Sequence, residues 1–242
     1  MKPSLASAPT VITCHSNADW DALSSMIGMS MIYPDSIMIF PGSMEKPLNQ
    51  FFNETAVFLY TFKNIKEIDH ASVKRVVVVD TQIRSRVPQV QELLDLPGVE
   101  VEVWDHHPTP TPYSGEKSKV INADVTHIGT TGSTCTLICQ ALQERGITPA
   151  CQEATFLGLG IYGDTGAFTY TSTKPEDFLD ALKELQEKCG VANLKMSDYG
   201  ISPDEFHKMA HNAKTAMAGL FMADRMPMSE EDCVAIYQAS YR

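Results

Sequence analysis

The segment Trp104-Asp105-His106-His107-Pro108 constrains this chain more than any other. It closes the alternating run Val99-Glu100-Val101-Glu102-Val103, whose period of two predicts a β-strand. A carboxylate and two imidazoles therefore leave a strand end together, where they must be hydrated, paired or ligated. Three further segments repeat the arrangement. His15, Asp19 and Asp21 follow Val11-Ile12-Thr13-Cys14. Asp80 ends Arg75-Val76-Val77-Val78-Val79. Asp164 lies within Gly160-Ile161-Tyr162-Gly163-Asp164-Thr165-Gly166. Such groups, delivered at the close of several apolar elements, are what an α/β protein needs to assemble a metal site.

Periodicity organises the rest of the chain. Residues 11–15, 36–40, 56–61, 75–79, 99–104 and 119–122 read as strands, and 20–32, 44–53 and 87–95 as helices. This alternation predicts an α/β fold, a parallel β-sheet flanked by helices with right-handed crossovers. Ligands of such sheets gather beyond the carboxyl ends of the strands. The second half reads as helical over 131–145, 150–162, 175–188 and 203–222, and the final segment 227–242 has no evident partner. Residues 1–10 are expected to form a flexible tail, and 11–222 the main domain.

Composition bounds the function. A net charge of -11 argues against a broad basic surface tracking nucleic acid. A short anionic substrate remains compatible, because bound divalent cations reverse the local potential. The six cysteines form no Cys-x-x-Cys pair. Cys135 and Cys139 share a helix face and read as buried small hydrophobes of a reduced protein. No run approaches the roughly 18 apolar residues of a membrane span, and the N-terminus lacks the apolar core of a signal peptide. A cytoplasmic location without a membrane partner is expected.

The chemistry follows from donor type. A turn after the first strand can direct His15 and Asp19 to one point and Asp21 to another. Asp80 can bridge two cations, and His106 and Asp164 can complete the second site. Carboxylates mixed with imidazole suit Mn(II), and also Co(II), Fe(II), Zn(II) or Mg(II). Two cations about 3.5–4 Å apart can share a hydroxide and clamp a phosphoryl oxygen. His107 is then free to donate to phosphate or to act as general acid. Thr131 and Ser133, at a helix start, offer backbone N–H groups to an anion or serve as an ordinary cap. Arg84 and Arg86, just beyond Asp80, meet phosphate or are simply solvated. His207 and His211 have the spacing of a helical zinc pair but lack the following Glu, and read as exposed.

These four motifs, in this order, resemble the DHH phosphoesterase superfamily. The resemblance covers about residues 11–220 and implies a two-metal, usually manganese-dependent hydrolase of phosphodiesters or phosphoanhydrides, with Mg2+ or Co2+ as substitutes. It implies that His15, Asp19 and Asp80 hold one metal, and that Asp21, Asp80, His106 and Asp164 hold the other. His107 faces substrate, and Asp105 orients the histidines. The expected partners are short single-stranded nucleic acid, a nucleotide or another phosphoester, with a homodimer as a candidate assembly. Family activities include RecJ-like exonucleases, exopolyphosphatases and inorganic pyrophosphatases. The stretch from Asn17 to Phe52 looks closest to the DHH module in front of CBS and poly(A)-polymerase-like nucleotidyltransferase domains. A module that only binds metal and nucleotide within a larger RNA-processing protein is a third expectation. Many relatives continue into a second domain with a glycine-rich loop that grips substrate. Residues 223–242 are read as the start of such a domain, so slow turnover by this chain alone is expected.

Overall fold

Thr10–Cys14 (β1) is buried at all five positions, as a strand covered on both faces should be. The computed structural model describes residues 5–39, 42–56, 59–109, 120–190, 193–216 and 228–241. Six strands form one parallel sheet: β1, Ser36–Ile39 (β2), Phe62–Lys63 (β3), Arg75–Val79 (β4), Glu100–Asp105 (β5) and Val125–Ile128 (β6). Their order is β3-β2-β1-β4-β5-β6. The chain winds outward from β1 to β3, then returns to lay β4 on the other side of β1. The reversal opens a crevice at the carboxyl ends of β1 and β4, the switch point where open parallel sheets hold ligands.

Alternation along each strand divides the core between the two faces. Ile12, Cys14, Val77, Val79 and Trp104 pack on one side against helices Trp20–Ile32 (α1), Thr134–Glu144 and Cys151–Asp164. Val11, Val76, Val78, Val101 and Val103 pack on the other. The remaining helices of this unit are Lys46–Phe51 (α2), Gln91–Leu94 (α3) and Pro175–Lys188. In chain order, Thr134–Glu144, Cys151–Asp164 and Pro175–Lys188 are α4, α5 and α6. Gly160 sets the approach of α5 to α1 and α4. A Cβ there would lie 2.5 Å from Cys135 Sγ and 3.3 Å from the Cα of Asp21. A small residue is therefore built in directly behind a candidate site residue.

Residues 5–9 lie against the fold rather than trailing from it: Ala6 bridges Ile68 and Ala8 is fully buried. Three secondary-structure expectations need correction. The strand expected at 119–122 is Val125–Ile128, a mostly exposed edge strand whose His127 and Thr126 weaken the apolar signal. Val120 makes only an isolated bridge to Ile83. The strand expected at 56–61 is the shorter Phe62–Lys63, preceded by a π-helical turn at Phe52–Ala56, while residues 57–58 and 40 lie outside the described residues. The helix expected at 203–222 is Phe206–Ala216 (α7), and residues 217–227 lie outside the described residues.

Contacts divide the chain into units Met1–Cys189 and Gly190–Arg242. The second has its own small core. Glu230–Ser240 (α8) packs on α7 through Phe206, Ala210, Cys233 and Val234, so the terminal segment does have a partner. Ser229 caps α8, accepting from Asp232 N while Asp232 accepts from Ser229 N. His207 and His211 are exposed on α7, and His211 meets Glu230.

Candidate metal-binding site

β1 and β4 end side by side, with Cys14 opposite Val79, so the residues that follow them converge. His15 is 2% exposed, and its Nε2 lies 3.0 Å from Asp80 Oδ2 and 3.8 Å from Asp19 Oδ2. Its Nδ1–H donates to the Ser16 carbonyl at 2.9 Å, which leaves Nε2 as the atom facing the carboxylates. Asp19 is the N-cap of α1. One oxygen accepts from Ala22 N, and the other is directed to His15. Asp80 has φ of +59°, a left-handed conformation that costs a non-glycine residue about 1 kcal/mol. That turn aims the carboxylate back into the crevice. Oδ1 accepts from Thr134 Oγ1 at 3.1 Å and lies 3.7 Å from His106 Nε2.

β5 supplies the opposite wall. His106 Nδ1 donates to the Thr131 carbonyl at 3.1 Å. Its Nε2 is buried and 3.0 Å from Asp164 Oδ2, close enough to pair but off the direction a hydrogen bond requires. Asp164 is the last residue of α5. Asp21, 1% exposed, accepts from Thr134 N at 2.7 Å and Cys135 N at 2.9 Å. The carboxylate thus occupies the positive end of α4 from within the protein. Among the described residues, three groupings have donor atoms mutually within 4.8 Å: His15, Asp19 and Asp80; Asp21, His106 and Asp164; and Asp80, His106 and His107.

Charge is out of balance here. Burial raises the pKa of Asp21 well above the usual carboxylate range, and the charges of Asp80 and Asp164 push it further. Burial and Asp80 likewise raise Asp19. Burial opposes charge on His15, but Asp80 outweighs it and holds the imidazole above its ordinary pKa. Burial also opposes charge on His106, where Asp164, Asp21 and Asp80 outweigh it. Even with both imidazoles protonated, the four carboxylates are not neutralised. A buried ring nitrogen without an aligned partner, facing hard oxygen donors, fits a divalent cation of the Mn, Fe, Co, Zn or Mg group.

His107 and Asp105 form the outer edge of this group, with His107 Nδ1 lying 3.7 Å from Asp80 Oδ1. Asp105 Oδ1 accepts from His107 Nδ1 at 2.7 Å, and the His107 side chain is 47% exposed. Burial raises the Asp105 pKa, but hydrogen bonds from His107 and Gln82 outweigh it and hold the group below its ordinary value. Asp105 thus orients His107 alone, while the Thr131 carbonyl orients His106. The other expected residues are engaged as follows. Arg84 pairs with Asp95 at 2.5 Å and donates to the Gln91 carbonyl. Ser133 is fully buried as the N-cap of α4, and the Thr131 hydroxyl donates to its carbonyl. The backbone N–H groups of this helix start are taken by Asp21 and, at Gly132, by Asp177. Arg86 sits near His15, whose proton affinity its charge lowers. Thr134, Gln82 and the Thr131 carbonyl are participants that sequence reasoning missed. Their partners are brought in by the fold, and no local pattern marks them.

The fold and the four motifs define a class, and the chain matches the DHH family, N-terminal domain, over residues 9–161. It belongs to that family. It is 40% identical over 171 residues to an A-adding tRNA nucleotidyltransferase of Geobacter sulfurreducens, an alignment covering 71% of this chain and 19% of that protein. A Streptococcus mutans protein described as a probable bifunctional oligoribonuclease and PAP phosphatase, NrnA, is 28% identical over 187 residues, covering 76% of this chain and 54% of that one. An exopolyphosphatase-related protein from Bacteroides fragilis shares the fold at a TM-score of 0.55 and 19% identity, covering 85% of this chain and 60% of that one. No helix among the described residues is long and apolar enough to cross a membrane.

Proposed function

We propose that this chain is a two-cation phosphoesterase that hydrolyses phosphodiester bonds of short oligonucleotides or nucleotides, with Mn2+ as its metal. His15, Asp19 and Asp80 would hold one cation, and Asp21, Asp80, His106 and Asp164 the other. The observation that carries the reading is Asp80, a buried, left-handed residue facing His15 with one oxygen and lying 3.7 Å from His106 with the other. Bound cations supply Lewis acidity and activate water for attack at phosphorus. The chain's own residues do the rest. Asp105 holds Nδ1 of His107, so Nε2 points outward, where it can donate to a phosphate oxygen or give a proton to the leaving oxygen. Arg86 is the nearby cation for a substrate phosphate, since its guanidinium has no ion pair among the described residues. Thr131 and Ser133 would shape the wall through the helix start rather than through free hydroxyls.

The test is hydrolysis of a 5′-phosphorylated diribonucleotide and of pyrophosphate by the chain with Mn2+. Mononucleotide release, lowered about 100- to 1,000-fold but still measurable in His107→Ala with cation retained, is expected. Turnover of pyrophosphate alone would replace this reading with a phosphoanhydride hydrolase. A second reading is a cation- and nucleotide-binding module of a larger RNA-processing protein. It is favoured by the 19% share of the nucleotidyltransferase that this chain spans. Full cation binding without turnover of either substrate would support it.

A further inference from the structure

Gln82 lies two residues beyond Asp80 and is 6% exposed. Its Nε2 donates to Asp105 Oδ2 at 3.0 Å and to the His107 carbonyl at 2.9 Å. Both partners only accept, so the amide nitrogen must face them and the orientation of the group is fixed. The other Asp105 oxygen accepts from His107 Nδ1 at 2.7 Å and from His107 N at 3.2 Å. The three side chains form one chain of bonds, running from the loop after β4 through the end of β5 to an imidazole that is half exposed.

We propose that Gln82 is a positioning residue for His107, acting through Asp105; this rests on the reading that His107 faces substrate. A carboxylate torsion is broad and roughly two-fold, and both bonds from His107 fall on the one oxygen Oδ1, so they leave the other oxygen unheld. The Gln82 amide holds Oδ2, leaving Oδ1 to receive Nδ1–H, and this fixes the ring with Nε2 outward. The Gln82 amide nitrogen is committed to Asp105 Oδ2 and the His107 carbonyl, and a nitrogen that donates both ways is no cation ligand. Loss of Gln82 should disturb the ring and leave cation binding alone. A merely structural amide would weaken the fold without singling out His107.

The first arm of the test is nitrogen-15 NMR of the histidine rings in the full chain with diamagnetic Mg2+. The wild type should show His107 with the proton on Nδ1 and a hydrogen-bonded ring N–H signal. Gln82→Leu should broaden or lose that signal while the His15 and His106 signals stay in place. Gln82→Met serves if Leu fails to fold. The second arm is a double-mutant cycle on the diribonucleotide with Mn2+. Gln82→Leu should lower kcat about tenfold, the scale of outer-shell positioning partners, with cation affinity within about twofold of wild type. In the His107→Ala background it should change nothing further. An unchanged His107 signal, or an undiminished effect without His107, would overturn the proposal. If the wild type does not turn over the diribonucleotide, the phosphodiesterase reading fails, and the NMR arm alone decides the role of Gln82.

Discussion

Asp177 and Asp21 are both buried carboxylates at the start of α4, yet their surroundings differ. Asp177 is 0% exposed and accepts from Gly132 N, Lys174 N and Thr136 Oγ1. Its partners are donors throughout, which is how a charge is buried for structure. Asp21 accepts from two backbone N–H groups but faces the charges of Asp80 and Asp164. One carboxylate is saturated. The other belongs to a group that holds more negative charge than its donors and imidazoles can balance. The contrast separates a buried acid that staples α6 to α4 from buried acids whose excess charge a cation could balance.

The comparison predicts opposite mutational signatures. Asp177→Ala strands several buried donors and should cost about 3–4 kcal/mol of stability in urea unfolding, with cation affinity of the folded protein unchanged. Loss of cation binding at unchanged stability would reverse the assignment. Asp80→Asn should do the opposite. Its amide can donate to His15 and its carbonyl can accept from Thr134, so the metal-free fold is kept or stabilised by up to about 1 kcal/mol. Cation affinity measured by calorimetry should fall at least about 100-fold, roughly 2.7 kcal/mol.

A pH series sharpens the same distinction. Asp21 and Asp19 have raised pKa values, so the metal-free folded state gains protons, and stability, as pH falls toward them. His15 and His106 are also raised, and their contribution is full below the ordinary histidine value of 6.5 and lost as pH rises through the folded values. Both signs agree. The metal-free chain should gain on the order of 1 kcal/mol between about pH 8 and pH 5.5, and Asp80→Asn should flatten the curve. Asp105, whose pKa is lowered, acts only below its ordinary 3.8 and outside this window. A stability that falls steadily with acidification from pH 8 would contradict the charge imbalance. The smallest effect is expected for His107→Ala, which should leave bound metal within about twofold of wild type by elemental analysis. Equal metal loss in His107→Ala and Asp80→Ala would make His107 a ligand.

Strand ends are written locally, and so the parallel sheet, His15, Asp80 and the Asp105-His106-His107 turn were legible in the sequence. Apolar runs stop where polar donors begin, and a parallel sheet carries those ends to one edge. What was not legible depends on long-range partners. Thr134 meets Asp80 across 54 positions, Asp177 meets Gly132 across 45, and Gln82 meets Asp105 across 23. The start of α4 shows why such roles hide. Thr131 to Thr134 has the composition of an anion-binding helix start, but the anions that fill it are the protein's own Asp21 and Asp177. The edge strand Val125–Ile128 was missed for a related reason, since a mostly exposed strand leaves little apolar pattern.

Asp80 is proposed to bridge two cations. Crystals of the chain grown with Mn2+ and measured at the manganese absorption edge test it directly. Two anomalous peaks about 4 Å apart are expected, one beside His15 and Asp19, the other beside Asp21, His106 and Asp164, with a carboxylate oxygen of Asp80 reaching both. A single peak, or two peaks with Asp80 bound to neither or to only one, would contradict it.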